Sequence, residues 1–295
     1  MNLPGDKSRP GVLYVVATPI GNLEDITFRA VEVLNSADLV AAEDTRHTAR
    51  LFSRCQISTR LVSCHEYNEE QKAENLVEKI LAGADVALVS DAGTPSVSDP
   101  GYRLVMAALE AGLRVIPVPG ASAVVTALSA SGLPSDRFCF VGFLPKKQKR
   151  RQEVLGSLAG AEATLIFYES ARRLSGFLKT LLKHLGDRQA VVAREMTKRY
   201  EEFLRGSLSG LIQDVESRTS VKGEITVLVS GKAPADKDSA TSPKDLYGEI
   251  EAALSSRDIS PSVLAAELAR KHGISKNRAY RLILDFKNDR QQDKG

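Results

Sequence analysis

Short runs of apolar, often β-branched residues alternate with longer amphipathic stretches from residue 12 onward. Such runs predict strands. In the first part of the chain they cover Val12–Ala17, Leu39–Ala42, Arg60–Ser63, Asp85–Ser90 and Arg114–Val118. The clearest helix between them is Asn68–Leu81, with Leu76, Ile80 and Leu81 among charged residues and Gly83 just after it. Short apolar strands separated by helices favour a parallel sheet covered on both faces, so residues 12–131 are expected to form an α/β domain.

After Gly132 the strand signals are denser. They cover Phe138–Val141, Thr164–Tyr168, Ala190–Arg194, Arg199–Arg205 and Glu224–Val229. We expect only two long helices among them, Gln148–Leu158 and Ala171–Leu185. Several strands without intervening helices require some antiparallel pairing, so residues 132–231 are expected to form a second α/β domain with a mixed sheet.

The last part of the chain predicts a small helical domain. Residues 232–243 are rich in Pro, Ala, Ser and charge and lack apolar periodicity, which is typical of a flexible linker. Within 244–290, Ser260 and Pro261 favour the start of a helix that ends before Gly273. Ser275 can cap a further helix over 276–286. Two helices joined by a short glycine-containing turn resemble a helix-turn-helix.

Bulk composition excludes several classes of protein. The chain has 295 residues, and 40 basic against 37 acidic side chains give a net charge of +3, so attraction to nucleic acid must come from local clusters. Three cysteines and four histidines are scattered without metal-ligand spacing, so we expect no metal. No apolar run approaches the roughly 18 residues of a membrane span, and the polar start of the chain does not resemble a secretory signal. The cytoplasm is the expected compartment.

Three predicted strands are followed by loops rich in Gly and Pro, at 17–25, 90–101 and 117–123. Ligands bind at the carboxyl ends of strands in open parallel sheets, so these loops are candidates for one binding site. Ordinary helix capping by Ser122 is an alternative reading of the third loop. The first loop carries neither the glycine pattern of dinucleotide sites nor that of triphosphate sites, so a ligand with few or no phosphates is expected.

Eight motifs follow one another along the chain: VATPIGNLEDIT, AAEDTRHT, SDAGTPSVSDPG, PGASA, GFLP, FYES, REMTKRYEE and KGE. Together they resemble one known family, the ribosomal RNA small subunit methyltransferases I of the tetrapyrrole methylase superfamily. The resemblance covers about Val12 to Ser230, and the C-terminal helices are similar to a small domain appended in this family. FYES continues here with Ala171-Arg172-Arg173, where family members commonly have Pro-His-Arg.

The resemblance implies a fold and an activity. The fold is a two-domain core that binds S-adenosylmethionine in the cleft between its domains, usually in a homodimer. The implied substrate is the ribose 2'-hydroxyl of a cytidine in the decoding region of small-subunit ribosomal RNA. The residues implied as cofactor contacts match the motifs at Ile20, Asp91, Gly93, Thr94, Val97, Ser122, Ala123 and Phe167.

Methylation of a ribose hydroxyl needs an aligned oxygen that loses its proton, which makes carboxylates in the loops candidate bases. Glu43 and Asp44 follow the second strand, although Asp44 could equally be a plain helix cap. Arg46 beside them is a candidate substrate contact. Glu195 and Lys198 are read as a structural ion pair. The turn Lys222-Gly223-Glu224 is either a hairpin or a wall of the cleft.

Two basic clusters favour contact with RNA. The first comprises Lys146, Lys147, Lys149, Arg150 and Arg151. It lies where a helix is predicted to start, a place that disfavours cations. The second falls within 268–290, where seven cations, including Arg278 and Arg281, accompany two carboxylates. A charged face over an apolar stripe would explain the second cluster equally well.

Two alternatives remain open. One is a methyltransferase that acts on a tetrapyrrole or, like diphthine synthases, on a modified histidine. The other is a regulator in which the helix-turn-helix binds nucleic acid and the core senses a ligand. A single terminal unit without a dimer-forming helix argues against sequence-specific reading of DNA.

Overall fold

The computed structural model describes residues 9–66, 68–232, 243–256, 259–272, 276, 279–284 and 286. Most of the predicted linker and the candidate residue Arg278 lie outside these ranges. The chain divides into two compact units, Met1–Ser230 and Gly231–Gly295. The first unit contains two five-stranded sheets.

The first sheet is wholly parallel, as the apolar runs predicted. Its strands are β1 (Val12–Val16), β2 (Leu39–Ala42), β3 (Leu61–Ser63), β4 (Val86–Val89) and β5 (Arg114–Val118). They lie in the order β3-β2-β4-β1-β5, so β1 lies between β4 and β5. Strands β2 and β5 have the predicted bounds, and the others differ by a residue or two.

Helices cover both faces of this sheet. They are α1 (Phe28–Ser36), α2 (Thr45–Cys55), α3 (Glu69–Leu81) and α4 (Tyr102–Glu110), while α5 (Ala123–Ser131) follows β5. Buried apolar residues of α3 and α4 pack on one face, and those of α1 and α2 pack on the other. Because both faces are buried, β2 and β4 are apolar at every position rather than alternating.

The second sheet is mixed. Its strands are β6 (Phe138–Phe143), β7 (Thr164–Ser170), β8 (Gln189–Arg194), β9 (Glu202–Ser207) and β10 (Glu224–Val229), in the order β6-β7-β10-β8-β9. Strands β6 and β7 are parallel and the remaining pairs are antiparallel. The strand predicted over 199–205 begins at Glu202 instead, because residues 195–201 form a turn in which Glu195 and Thr197 have positive φ.

The expectation of only two long helices beside the second sheet is wrong. Besides α6 (Gln148–Leu158) and α7 (Leu174–Leu185), the chain forms α8 (Leu208–Ser217). The Ser207 side chain caps α8 by accepting from the Gly210 amide. Its buried residues Leu208, Leu211, Ile212 and Val215 have the spacing of an amphipathic helix. All three helices pack on one face of the sheet.

The opposite face of the second sheet is covered by α5, which thereby joins the two sheets. Val124 and Leu128 of α5 pack against Ile166 and Leu228 of the sheet. Alternate residues of β7 therefore lie in different environments: Leu165 and Phe167 face α7, whereas Ile166 and Tyr168 face α5. This alternation decides which β7 side chains reach the candidate site.

The second unit is helical. It contains α9 (Pro243–Ser256), which was not predicted, and α10 (Pro261–His272), and the described residues between 276 and 286 are helical as well. Leu246, Ile250, Leu264, Leu268 and Ile283 form its small core. The turn of the predicted helix-turn-helix falls at 273–275, outside the described residues. No helix among the residues that the structure describes is long and apolar enough to cross a membrane.

Candidate functional site

A cavity of about 390 Å³ lies between the carboxyl edge of the first sheet and the second sheet. Loops after β1, β4 and β5 form one wall, and the ends of β6 and β7 with the start of β10 form the other. The residues that line it are Ile20, Ala92, Gly93, Thr94, Val97, Ser98, Asp99, Ser122, Ala123, Phe143, Tyr168, Glu169, Ser170, Met196, Gly223, Glu224, Ile225 and Thr226. The three loops singled out from sequence thus meet at one site, as expected of strands β4, β1 and β5 that are neighbours.

Backbone hydrogen bonds tie the three loops together. The amide of Thr18 donates to the carbonyl of Gly93 (2.8 Å), and the Gly93 amide donates back to Thr18 (3.0 Å). The Thr18 hydroxyl donates to the Ser90 carbonyl (3.1 Å), and the Thr94 hydroxyl donates to the Ala121 carbonyl (3.4 Å). Gly93 has φ of +79°, a conformation that side-chain-bearing residues rarely adopt. The first wall is therefore held in one shape by its own main chain.

The loop from Asp91 to Gly101 turns sharply before α4. Ser96 and Ser98 both have positive φ, 68° and 67°. At the far end, the buried Glu69 of α3 accepts from the amides of Gly101 (3.0 Å) and Arg103 (2.7 Å), which satisfies the start of α4. Both ends of this loop are therefore anchored, and its strained middle faces the cavity.

The second wall is held by an ion-pair cluster. Lys198 Nζ lies 3.0 Å from Glu195 Oε1 and 2.8 Å from Glu224 Oε2, so the predicted structural ion pair is present. The Glu224 amide donates to Glu195 (3.0 Å). Gly223 has φ of +96°, and a Cβ there would lie 2.4 Å from the Glu195 side chain. The turn at 222–224, left open in the sequence, is part of the cavity wall.

The first wall reaches the second through the loop after β1. The amide of Asn22 donates to the Thr197 hydroxyl (3.0 Å), and a Cβ on Gly21 would lie 2.6 Å from the Lys198 side chain. Glycine at position 21 therefore allows the two walls to approach.

Six of the eight residues implied as cofactor contacts line the cavity: Ile20, Gly93, Thr94, Val97, Ser122 and Ala123. Ser122 is the N-cap residue of α5 in position, but its side chain makes no cap hydrogen bond. Phe167 and Asp91 are placed elsewhere. The Phe167 side chain is fully buried against Phe177 on the α7 face, with ring centroids 5.6 Å apart. Its neighbour Tyr168 lines the cavity instead.

Asp91, Glu43 and Asp44 form a hydrogen-bonded group at the ends of β2 and β4. Asp91 Oδ1 accepts from the Asp44 amide (3.1 Å), and the Asp91 amide donates to Glu43 Oε2 (3.3 Å). Burial, with the nearby Asp91 and Asp44 carboxylates adding, raises the pKa of Glu43. None of the three carboxylates is among the residues that line the cavity.

Asp44 has the capping role that was its alternative reading. It is the N-cap of α2 and accepts from the Arg46 amide (2.8 Å). The Arg46 guanidinium also donates to it at 2.7 Å, and these bonds hold the pKa of Asp44 well below its usual range. The Arg46 side chain is otherwise exposed.

Asp99 was not among the residues predicted from sequence, yet among the described residues it is the one first-wall carboxylate that lines the cavity. Burial is the main cause that raises its pKa to about 6, and the neighbouring Glu43 and Asp91 carboxylates add to the shift. Across the cavity, burial, with a contribution from Asp99, raises the pKa of Tyr168 to about 12. The Tyr168 ring packs edge-on against Phe140 (4.9 Å) and Phe143 (5.6 Å). Asp99 thus borders an aromatic pocket.

The cavity and the adjacent surface carry opposite charges. Asp99, Glu169 and Glu224 line the cavity, while none of its lining residues in the described part of the chain is Lys, Arg or His. Glu169 is nearly buried and bonded to Arg173 Nε (2.8 Å), so the divergent turn after FYES retains an arginine that supports this wall. Glu169 and Glu224 are paired with Arg173 and Lys198, which lie outside the lining, so the groups that face the cavity are carboxylates, and these suit a cationic ligand better than a phosphate.

Basic side chains begin three residues after Phe143, the last cavity residue of β6. Lys146, Lys147, Lys149 and Arg150 are exposed at the start of α6, and Arg151 is half-buried. Three residues span at most about 11 Å of chain, so Lys146 lies close to the cavity mouth. We call these five residues the basic run.

A groove of about 300 Å³ continues from the basic run between α6 and α7. Arg151, Lys179, Lys183 and His184 line it with three uncharged polar residues, and no carboxylate is among its lining residues in the described chain. Lys179 is paired with Glu216 (2.6 Å), whereas Lys183 is exposed at the edge. We call this feature the α6–α7 groove.

The C-terminal cations are less available than their number suggests. Lys271 is paired with Glu249 of α9 at 3.0 Å, a carboxylate outside the window 268–290. Phe286 packs against Tyr247 in the core of the unit, whereas Tyr280 and Arg281 are exposed. Among the described residues of the chain, no three His, Cys, Asp or Glu side chains come together as metal ligands.

Comparison with known proteins gives consistent matches over most of the chain. Residues 12–212 match the family described as Tetrapyrrole (Corrin/Porphyrin) Methylases. The chain is 52% identical over 221 residues to the ribosomal RNA small subunit methyltransferase I of Halalkalibacterium halodurans, covering 75% of this chain and 76% of that protein. It is 46% identical over 279 residues to the protein of that name from Escherichia coli O157:H7, covering 93% and 95%.

Solved structures resemble the first unit in fold. A cobalt precorrin-4 methyltransferase of cobalamin biosynthesis matches with a TM-score of 0.58 at 17% identity, covering 78% of this chain and 98% of that one. A diphthine synthase matches with a TM-score of 0.55 at 16% identity, covering 74% and 89%. At these identities the likeness concerns the fold alone. The predicted fold class, a parallel-sheet domain and a mixed-sheet domain followed by helices, is confirmed.

Proposed function

The chain belongs to the tetrapyrrole methylase family, and from this premise we propose that it transfers a methyl group from S-adenosylmethionine to small-subunit ribosomal RNA. The acceptor that we propose is the ribose 2'-hydroxyl of a cytidine in the decoding region. The observation that carries the proposal is that a cavity and a basic surface lie next to each other at the end of β6. An acidic cavity, which no Lys, Arg or His of the described residues lines, opens beside a cluster of exposed basic side chains.

The cavity fits S-adenosylmethionine in size and charge. Its volume of about 390 Å³ lies within the usual range for small-molecule sites. The ligand carries a sulfonium, an ammonium and one carboxylate group and no phosphate, so it is cationic overall and suits a cavity whose wall holds carboxylates. When bound, it supplies a methyl group already activated on sulfur.

The residues proposed to hold the cofactor come from both walls. Ile20, Val97 and Ala123 offer apolar contact, and the backbone at Gly93 allows close approach. Thr94 and Ser122 offer hydroxyl groups. Asp91 contributes indirectly in this account, because it supports the loop through Asp44 and Glu43. Phe167 supports the position of β7, while Tyr168 meets the ligand space.

RNA is the proposed substrate because of the charge outside the cavity. The basic run and the α6–α7 groove together present several cations near the mouth, which suits a chain of phosphodiesters. Arg46 and Arg281 are further proposed contacts at the surface, and we propose the same for Arg278. A single-stranded or looped RNA could then place one ribose in the cavity.

The alternatives fit the site less well. Biosynthetic tetrapyrroles carry several carboxylates, and no cation lines the cavity among the described residues to bind them. A ligand-sensing regulator would not require the basic run at the mouth of the ligand cavity. We also propose that the protein acts in the cytoplasm, where ribosomal subunits are assembled, and that it forms a homodimer. The side chain of Phe28 at the start of α1 is 98% exposed and is a candidate for that interface.

One experiment separates the three readings. The protein is incubated with methyl-labelled cofactor and, in parallel, with small ribosomal subunits, naked ribosomal RNA and a tetrapyrrole precursor. We expect label in RNA or subunits and none in the tetrapyrrole. Label in the tetrapyrrole alone would refute the proposal, and cofactor binding by calorimetry without transfer to any acceptor would favour the regulator.

A further inference from the structure

The turn over residues 195–201, which joins β8 to β9, carries two exposed side chains near the cavity. The Tyr200 side chain is 64% exposed, and that of Arg199 is exposed as well. Met196 of the same turn lines the cavity, four residues before Tyr200. Four residues span at most about 14 Å of chain, so Tyr200 lies close to the cavity although it is not among the residues that line it.

The backbone of this turn is held in one shape. Glu195 and Thr197 both have positive φ, 50° and 65°, which residues with a side chain adopt only at a cost. The Lys198 amide donates to the Glu195 carbonyl (3.0 Å), and the Thr197 amide donates to Glu201 Oε2 (2.6 Å). A connection that only joined two antiparallel strands would not need such strain, which is typical of functional sites. The turn therefore holds its exposed pair of side chains in a fixed position.

The exposed cation of the turn has no carboxylate partner, whereas the carboxylates of the turn are occupied. Lys198 pairs with Glu195, and Glu201 accepts from the backbone of the turn. Arg199 forms no ion pair with any carboxylate that the structure describes, and its Cζ lies 5.6 Å from the centroid of the Tyr200 ring. This distance is that of a cation–π pair, which keeps the guanidinium beside the ring and leaves its charge available to an anion.

A second exposed cation, Lys222, lies on the adjoining turn. The Glu224 amide donates to Glu195 (3.0 Å), so the turn at 222–224 packs against the 195–201 turn. Lys222 is exposed there and precedes Gly223 and Glu224, which line the cavity. An exposed aromatic ring accompanied by exposed cations is typical of surfaces that bind single-stranded nucleic acid, because bases stack on the ring while phosphates meet the charges.

We infer that Tyr200 binds the RNA substrate by stacking on a base close to the acceptor nucleotide, an inference that rests on the proposed function. Arg199 contacts a phosphate beside that base. Every base has a π face, so this contact anchors the RNA chain near the cavity without reading its sequence. A protein partner is less favoured, because an interface that covered Arg199 without supplying a carboxylate would bury an unpaired charge.

The first test uses the absence of tryptophan from the chain. Tyr200→Trp places the only indole of the protein in the turn, so its fluorescence reports stacking directly. A single-stranded oligoribonucleotide should quench this fluorescence. The same oligoribonucleotide with abasic residues throughout should still bind through its phosphates, with little quenching. RNA binding is followed in parallel by filter retention.

Phe138→Trp is the matched control for this measurement. Phe138 is also exposed (47%), but it begins β6 about 17 Å from Phe143, the residue of that strand that lines the cavity. Its indole fluorescence should not change when RNA is added. RNA that is retained on the filter without quenching Tyr200→Trp would overturn the inference, and so would equal quenching by the abasic form or in Phe138→Trp.

The second test measures methyl transfer to small ribosomal subunits. Tyr200→Ala should raise the KM for subunits roughly tenfold with little change in kcat, because the lost contact is present both before and during transfer. Tyr200→Phe keeps the ring and should behave as wild type. Cofactor affinity, measured by calorimetry, should be the same in all three proteins. A wild-type KM in Tyr200→Ala, or an equal rise of KM in Tyr200→Phe, would overturn the inference.

Two further outcomes separate this inference from the proposed function. Base-dependent quenching of Tyr200→Trp by RNA, without methylation of any RNA by the wild type, would support the stacking contact while the proposed methyl transfer fails. The other outcome is a dimer in sedimentation without RNA that Tyr200→Ala abolishes. That result would assign the ring to an interface between two copies of the chain and would overturn the inference.

Discussion

The cavity wall formed by the first sheet and the basic run on α6 are neighbours, yet they are built differently. The wall is fixed by backbone bonds such as the pair between Thr18 and Gly93, and its strained loop is anchored at both ends. The basic run consists mostly of exposed side chains at the start of α6, where Arg151 Nη2 donates to the Lys146 carbonyl (3.4 Å). Cofactor binding at a rigid site should be sensitive to substitutions that change its shape. RNA binding to exposed cations should instead be sensitive to charge reversal and to salt concentration.

The largest effect is expected from a substitution in the rigid cavity wall formed by the first sheet, where both stability and cofactor affinity should fall. Gly93→Ala adds a methyl group 3.4 Å from Ile20 at a residue with φ of +79°. The change should cost roughly 1–2 kcal/mol of stability through the backbone alone. It should also lower cofactor affinity by about tenfold or more, because both Gly93 and Ile20 line the cavity.

Gly112→Ala separates these two effects. Gly112 also has positive φ, +69°, but a Cβ there meets nothing within 4 Å, and it lies before β5 at the opposite edge of the first sheet. The melting temperature of Gly112→Ala should fall about as much as that of Gly93→Ala. Its cofactor affinity, measured by calorimetry, should equal that of the wild type. Equal cofactor affinity in the two variants would show that the wall is not the cofactor site.

An intermediate effect is expected on the basic run. Reversing Lys149 and Arg150 to Glu should weaken RNA binding by roughly tenfold or more and flatten its salt dependence. Cofactor affinity should stay unchanged. RNA binding is measured by filter retention at several salt concentrations.

The matched control reverses Lys72 and Lys79, two exposed cations of α3, to Glu. Net charge changes equally in the two double variants, so only the position differs. Equal losses of RNA affinity would mean that overall charge, and not the basic run, attracts the RNA.

The smallest expected effect is in the α6–α7 groove. Lys183→Ala removes an exposed cation at its edge and should lower RNA affinity by roughly two- to fivefold. Lys179→Ala should lower RNA affinity by a smaller factor, because Glu216 already pairs with the Lys179 ammonium group at 2.6 Å. Wild-type RNA affinity in both Lys183→Ala and Lys179→Ala would place the RNA elsewhere.

The sequence predicted the first sheet well, because strands buried on both faces are continuous apolar runs. The helix α8 was missed although Leu208, Leu211, Ile212 and Val215 carry its spacing, since no element was predicted between the strands 199–205 and 224–229. The mixed strand pairing of the second sheet was predicted correctly, but the strand predicted over 199–205 lies over Glu202–Ser207 instead. The turn before it depends on positive φ at Glu195 and Thr197, which residue type does not indicate.

The site was predicted at the level of loops and less well at the level of side chains. The loops converge because β4, β1 and β5 are neighbours. The sequence could not decide between Phe167 and Tyr168, because alternation along β7 does not indicate which face meets the cavity. Asp99 was missed since it lies ten residues beyond the end of β4, and only the turn at Ser96 and Ser98 returns it to the cavity.

The most direct test of the account is nucleoside mass spectrometry of ribosomal RNA after incubation of unmodified small subunits with the protein and cofactor bearing a trideuterated methyl group. We predict a single new labelled nucleoside, cytidine with the label on the 2'-oxygen, within the decoding region. Label on a base, or no labelled nucleoside in RNA while a tetrapyrrole acceptor is methylated, would contradict the account.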